Sequence, residues 1–270
     1  MKIGVRAHDF GRNSIENIVK IITEAGFTCT QLAPTKAIEG IANFADITEN
    51  HIEKIQTAFA DLEITVLGCY IEPSVTDKET RLKNVEIFKN NLTYAKKLGV
   101  KIVGTETTHL DTNTPQAERE KIYALLKDSV LRLAEHAEKE NVFIGIEPVA
   151  EHTLNTPELT KRLLDEVNSN QLKIIFDPVN LVLPETISRQ NEIFQQTFDL
   201  IGEEIVAVHI KDIVIENNQK VWREIGQGVI DYTQIMGWLL KNKPHVNMLR
   251  EGVTRDSYEN DLRVMLKMSL

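Results

Sequence analysis

The chain has 270 residues, 42% apolar and 26% charged, which fits a globular protein able to bury one sizeable core and excludes the disordered and fibrous classes. A formal charge of −9 and a pI near 5.4 describe a surface that repels phosphate backbones and anionic headgroups, so neither nucleic acid nor a membrane surface is expected as partner. No apolar run approaches the roughly 20 residues of a membrane span. The first residues carry no hydrophobic leader, and Cys29 and Cys69 lie in strand-like stretches that suit buried reduced thiols, so a soluble, cytoplasmic protein is expected.

From the N-terminus onward, short runs rich in β-branched residues alternate with longer segments of helical period. The strand-like runs are residues 2–6, 27–32, 64–70, 101–105, 142–147, 172–177, 205–210 and 246–251. The helical segments are 14–25, 48–61, 79–98, 116–141, 156–167, 188–201, 232–241 and 255–268. Such alternation predicts a parallel sheet with helical crossovers, and eight pairs favour closure into a single α/β domain, a (β/α)8 TIM barrel over residues 1–270. Thr156, Pro157 and Glu158 read as a helix start, while Gly26 and Gly99 sit where a helix end needs a left-handed residue. Between the seventh strand and its helix, residues 213–215 and 221–222 flank Glu216, Asn217 and Asn218 in the manner of a small hairpin.

In such barrels the chemistry sits at the C-terminal ends of the strands. Four consecutive runs, the fifth to the eighth, close on a metal-ligand type: Glu147, Asp177, His209 and Glu251. Any one of them reads equally well as a strand-end cap or an ion-paired group. Four together do not, because three neighbouring buried carboxylates without a cation would cost several kcal/mol per charge or force protonation. The donor set suits one divalent ion, Mn²⁺, Mg²⁺, Co²⁺ or Zn²⁺, with Mn²⁺ favoured.

The pattern Glu147-Pro148, Asp177 within Phe-Asp-Pro, His209-Ile-Lys211-Asp212, Gly226-Gln-Gly228 followed by Asp231, and Glu251-Gly252 resembles the xylose isomerase-like TIM-barrel superfamily. That group includes ketose 3-epimerases, sugar-phosphate isomerases and epimerases, inosose dehydratases and endonuclease IV. The resemblance covers nearly the whole chain. It implies that Glu147, Asp177, His209 and Glu251 are metal ligands, and that Glu147 and Glu251 also form the acid/base pair moving a proton beside a carbonyl. It implies a small sugar or polyol as substrate, and leaves assembly into a homo-oligomer open.

The remaining candidates are substrate contacts. Lys211 lies two residues after His209, on the same side of a strand, where it can hold a hydroxyl or phosphate; a surface lysine fits the sequence nearly as well. His152 lies in a stretch resembling the epimerase loop after strand five. Glu106 closes the fourth strand and His8 follows the first, so both are expected at the mouth. Asn180 stands where the epimerase pattern places a histidine, and it can donate a hydrogen bond but not act as an imidazole acid. Gly226-Gln-Gly228 lacks the third glycine of a dinucleotide fingerprint, and His51 and His136 belong to helix faces. The leading expectation is a metal-dependent isomerase or epimerase working through an enediolate, with an inosose-type dehydratase as the alternative. An endonuclease IV-like phosphodiesterase is disfavoured by its need for more histidine ligands, and a non-catalytic sugar-binding barrel by the intact acid pair.

Overall fold

The computed structural model describes residues 1–111 and 113–270. Eight parallel strands close into a barrel: β1 (Ile3–Arg6), β2 (Cys29–Leu32), β3 (Glu63–Gly68), β4 (Ile102–Glu106), β5 (Phe143–Glu147), β6 (Leu172–Phe176), β7 (Ile205–Ile210) and, after a hairpin, β10 (Asn247–Arg250). The barrel closes where Gly4 of β1 stands beside Leu249 of β10. The hairpin is β8 (Asp212–Glu216) against β9 (Gln219–Arg223), and Asn217 and Asn218 turn it with φ of 49° and 60°. It begins one residue earlier in the chain than residues 213–215 suggested from their composition, since Asp212 already pairs with Arg223.

The crossovers are α1 (Ile15–Glu24), α3 (Glu49–Ala58), α4 (Lys78–Leu98), α5 (Gln116–Glu140), α6 (Pro157–Val167), α7 (Gln190–Ile201), α8 (Tyr232–Asn242) and α9 (Tyr258–Met268), with a single extra turn, α2 (Pro34–Ala37), after β2. Their ends follow from side-chain chemistry. Ser14, Thr48, Asp77, Thr156 and Asp231 each accept a backbone N–H in the first turn. Gly99, Asn141 and Asn168 end their helices in the left-handed region. Among the described residues no helix is long and apolar enough to cross a membrane. Both cysteines are buried free thiols.

Two apolar layers support the site. The larger lies between helices and the outer faces of the strands. The smaller fills the lumen and consists of Cys29, Val66, Ile102, Ile175, Ala207 and Leu249. It is completed by glycines where there is no room for more: a Cβ on Gly104 would lie 2.7 Å from Val66 Cγ1, and one on Gly145 2.8 Å from Ile102 Cγ2. Strand side chains alternate, so the residue two places beyond each lumen residue faces the same interior one layer higher. Cys29 thus leads to Gln31, Gly104 to Glu106, Gly145 to Glu147, Ile175 to Asp177, Ala207 to His209 and Leu249 to Glu251.

Candidate metal centre

Glu147 is the last residue of β5, Asp177 follows β6, His209 lies in β7 and Glu251 follows β10. All four are buried, and each offers a ligand atom within 4.8 Å of the others, the one such group found among the described residues. The imidazole sets the geometry. Its Nε2 lies 2.7 Å from Gln31 Oε1, and the Gln31 amide nitrogen donates to the Tyr70 hydroxyl, which orients the amide so that oxygen faces the ring. Nε2 therefore carries a proton, and Nδ1 is the nitrogen turned toward the carboxylates, where a second proton or a metal ion can sit. That Nδ1 has no hydrogen-bond partner and stands 3.2 Å from Glu147, 3.5 Å from Glu251 and 3.7 Å from Asp177. Three buried carboxylates around one ring nitrogen call for a positive charge among them, a proton on Nδ1 in the metal-free chain or a divalent ion in its place, and N,O₃ ligation is ordinary for such an ion. The residues fit a metal.

Two cations brace the acidic side. Lys211, only 2% exposed, places Nζ 2.8 Å from Asp177 Oδ2, 2.9 Å from Glu251 Oε1 and 2.9 Å from Asn180 Oδ1. Of the two readings of Lys211 the surface lysine is excluded: the two-residue step from His209 carries it inward, beside the carboxylates. Arg6, at the end of β1, reaches Glu251 at 3.0 Å and Asp9 at 2.9 Å. Burial alone would raise the Glu251 carboxyl, but Lys211, Arg6 and His209 hold it down at about 2. Burial wins at Asp177, which is pushed up to about 6. Asn180 links the two sides by donating to Glu147 Oε1 at 2.5 Å while accepting from Lys211. Its amide orients protein groups in the position where an imidazole was the pattern's norm.

The other expected residues gather beside this cluster. Glu106, His109, His152, Tyr70 and Phe44 line a cavity of about 450 Å³. His152 Nδ1 is buried without a hydrogen-bond partner, 3.8 Å from Glu106 Oε2. Burial, followed by the Glu147 charge, pushes Glu106 up to about 7. His8, in a short 3-10 turn (Ala7–Phe10) after β1, is lowered to about 4 by burial and then by Arg6. The Gly226-Gln-Gly228 stretch holds the hairpin base: the amides of Gly226, Gly228 and Ile230 converge on the Asp212 carboxylate.

The sequence of residues 19–267 matches the family model described as xylose isomerase-like TIM barrel. The chain belongs to that family. Among solved structures, a D-tagatose 3-epimerase-like protein aligns with a TM-score of 0.79 at 17% identity, covering 99% of this chain and 97% of its own. The 3-keto-D-glucoside 4-epimerase YcjR from E. coli aligns at 0.77 and 19% identity, covering 99% and 98%. The IOLI protein, solved with a bound zinc atom, aligns at 0.73 and 17%, covering 100% and 96%. At these identities the alignments establish the family's fold. No curated protein matches the sequence.

Residues that hold the cluster from outside escaped the sequence reading. Gln31, Tyr70 and Arg6 are polar residues at or just beyond strand ends, as dozens of others are, and their roles depend on partners from distant strands. Arg250 and Asp261, a buried pair at 2.8 Å, tie α9 to the residue before Glu251. The one legible signal was positional, since Arg6 and Gln31 lie two places beyond Gly4 and Cys29.

Proposed function

We propose that this chain is a divalent-metal-dependent isomerase or epimerase of a small sugar, sugar phosphate or polyol-derived ketone, acting through an enediolate. The observation that carries the reading is the unpartnered Nδ1 of His209 among three carboxylates, on a ring fixed by Gln31. Structural likeness to the D-tagatose 3-epimerase-like protein and the 3-keto-D-glucoside 4-epimerase supports the substrate class. When bound by Glu147, Asp177, His209 and Glu251, the ion, with Mn²⁺ as the proposed occupant, supplies a Lewis acid that acidifies the C–H beside a carbonyl.

The chain's own residues carry the proton. Glu147 ends strand β5 and Glu251 follows β10, with β6 and β7 between them, and so the two flank whatever lies over Asp177 and His209. One removes the α-proton from one face and the other returns a proton from the opposite face. Lys211 keeps Asp177 and Glu251 in place, and Asn180 orients Glu147. Glu106, His152 and His8 receive substrate hydroxyls on the cavity side. We assign the activity to one domain of residues 1–270.

A dehydratase is the second reading, favoured by the asymmetry of the two glutamates. Both glutamates approach His209, but Glu251 is also paired with Arg6 and Lys211, whereas among the described residues Glu147 has the Asn180 amide as its other partner. That arrangement suits removal of the α-proton by Glu147 and its return from the Glu147 carboxyl to the β-hydroxyl, which departs as water while the C–C double bond forms. Proton NMR in D₂O with Mn²⁺ and a panel of ketoses, ketose phosphates and inososes tests both. Deuterium wash-in beside the carbonyl with an epimeric or isomeric product supports the first reading. A dehydrated product transfers the assignment to the second, and no exchange with any member contradicts both.

A further inference from the structure

The hairpin β8–β9 carries a tryptophan that the proposed chemistry does not use. In the antiparallel register Trp222 lies opposite Ile213, so the two share one face of the ribbon. Ile213 is 1% exposed and packs into the core, which makes this the face turned toward the barrel. Lys220, on the same face by alternation, donates from Nζ to Val179 O in the loop after β6, at 3.0 Å. Trp222 nevertheless remains 50% exposed. A side chain on the packed face of a ribbon stays half open only where it overhangs an opening.

Its neighbours identify the opening. The ring centroid is 5.2 Å from Lys211 Nζ, the same ammonium that touches Asp177 and Glu251. A Cβ on Gly252 would stand 3.3 Å from the ring's Cε3 and Cζ3 atoms, so the indole also borders the residue following Glu251. The ribbon cannot swing freely, because the Asp212 carboxylate at its base accepts from three backbone amides of residues 226–230. An indole held in this way, next to a group of polar ligands, forms an apolar wall at the mouth. The cavity lined by Tyr70, Glu106 and His152 belongs to the strand ends of β3 to β5, whereas Trp222 borders Lys211 and Gly252, after β7 and β10.

We propose that Trp222 is a specificity-determining residue, the platform on which the C–H face of a polyol packs while its oxygens face the acidic cluster. The inference rests on the sugar-ketone reading above. A sugar offers oxygens around its rim and C–H bonds on its faces, and small-molecule sites combine a few placed polar groups with aromatic walls of this kind. A short two- or three-carbon ketone reaches the cluster without covering the indole, so Trp222 favours five- and six-carbon substrates.

The chain contains two tryptophans, and Trp238 stacks on Phe198 at 4.4 Å, well separated in the fold on α7 and α8. A Trp238→Phe protein therefore reports Trp222 emission alone. With Mn²⁺ present, D-fructose, D-tagatose and the panel member most rapidly converted should shift that emission to the blue as sugar displaces water from the ring. Trp222→Ala should raise KM for the converted ketose roughly tenfold, with kcat within about twofold, and Trp222→Phe should restore most of it. Either unchanged KM in Trp222→Ala or unmoved emission at saturating ketose overturns the inference. A wild-type protein that turns over no ketone overturns the underlying reading and this inference with it, whereas turnover with an unaffected Trp222→Ala leaves the reading intact and removes only the platform.

Discussion

Two adjacent layers of one barrel make opposite uses of the same strands. The lumen layer is Cys29, Val66, Ile102, Ile175, Ala207 and Leu249 with Gly104 and Gly145, a dry plug with no space for another methyl group. Two residues further along, the inward positions are Gln31, Glu106, Glu147, Asp177, His209 and Glu251, with Arg6 and Lys211 among them. The lower layer is stabilised by area removed from water. The upper one gathers buried charge whose desolvation is offset only by mutual pairing and by the cation it is built to receive. The rigidity below is what permits the charge above, because a floor that cannot collapse keeps three carboxylates from moving apart.

Experiments that disturb one layer should leave a different signature from those that disturb the other. The largest effect is expected from Glu147→Gln, which retains shape but removes a proton carrier: turnover should fall by about 10³-fold in an assay of the converted ketone, with metal retained in part. Gln31→Leu leaves His209 Nε2 without its acceptor and should weaken metal affinity by about 10 to 100-fold in a titration. Gly145→Val forces side-chain atoms against Ile102 and Ile175, and should cost about 1–3 kcal/mol in denaturant unfolding. Its effect should appear equally with and without metal, which separates floor from mouth. Lys161→Ala removes an exposed pair with Asp165 on α6 and should leave Tm unmoved.

A pH series sharpens the comparison because near neutral pH only the upper layer titrates, the buried Cys29 thiol of the lower one being pushed up to about 11 by burial. In the metal-free chain, burial opposes a charged His209, but Glu147, Glu251 and Asp177 raise its pKa above the ordinary 6.5, and burial raises Asp177 to about 6. An incoming ion must displace those protons. Metal affinity should therefore rise with pH from about 5 to above 6.5, with proton release measured from binding heats in two buffers. Affinity independent of pH across that window would contradict the ligand set.

The barrel was legible because its periodicities are local: strand runs and helical segments alternate in the sequence, and the charged residue closing an apolar run stands out against it. Glu147, Asp177, His209 and Glu251 were visible in that way, as was the hairpin turned by Asn217 and Asn218. The burial of Lys211 was not, since a lysine two places past a histidine gives the same pattern whether or not Asp177 and Glu251 close over it. The bracing by Gln31, Tyr70 and Arg6 also lay outside reach. Those contacts span up to 245 residues of chain, from Arg6 to Glu251, and no local pattern marks a residue by a partner at that distance. The helix end at Asn141 was blurred by a residue, because an asparagine cap competes with simple helix continuation.

The claim on which the account turns is that Glu147, Asp177, His209 and Glu251 hold one divalent ion. Titration of the metal-stripped protein with Mn²⁺ and Zn²⁺, followed by calorimetry and compared with His209→Ala, tests it directly. The account predicts one site per chain in the wild type and a loss of affinity of at least about 100-fold in the variant. A wild type that binds no ion, or a variant that binds as tightly as the wild type, would contradict it.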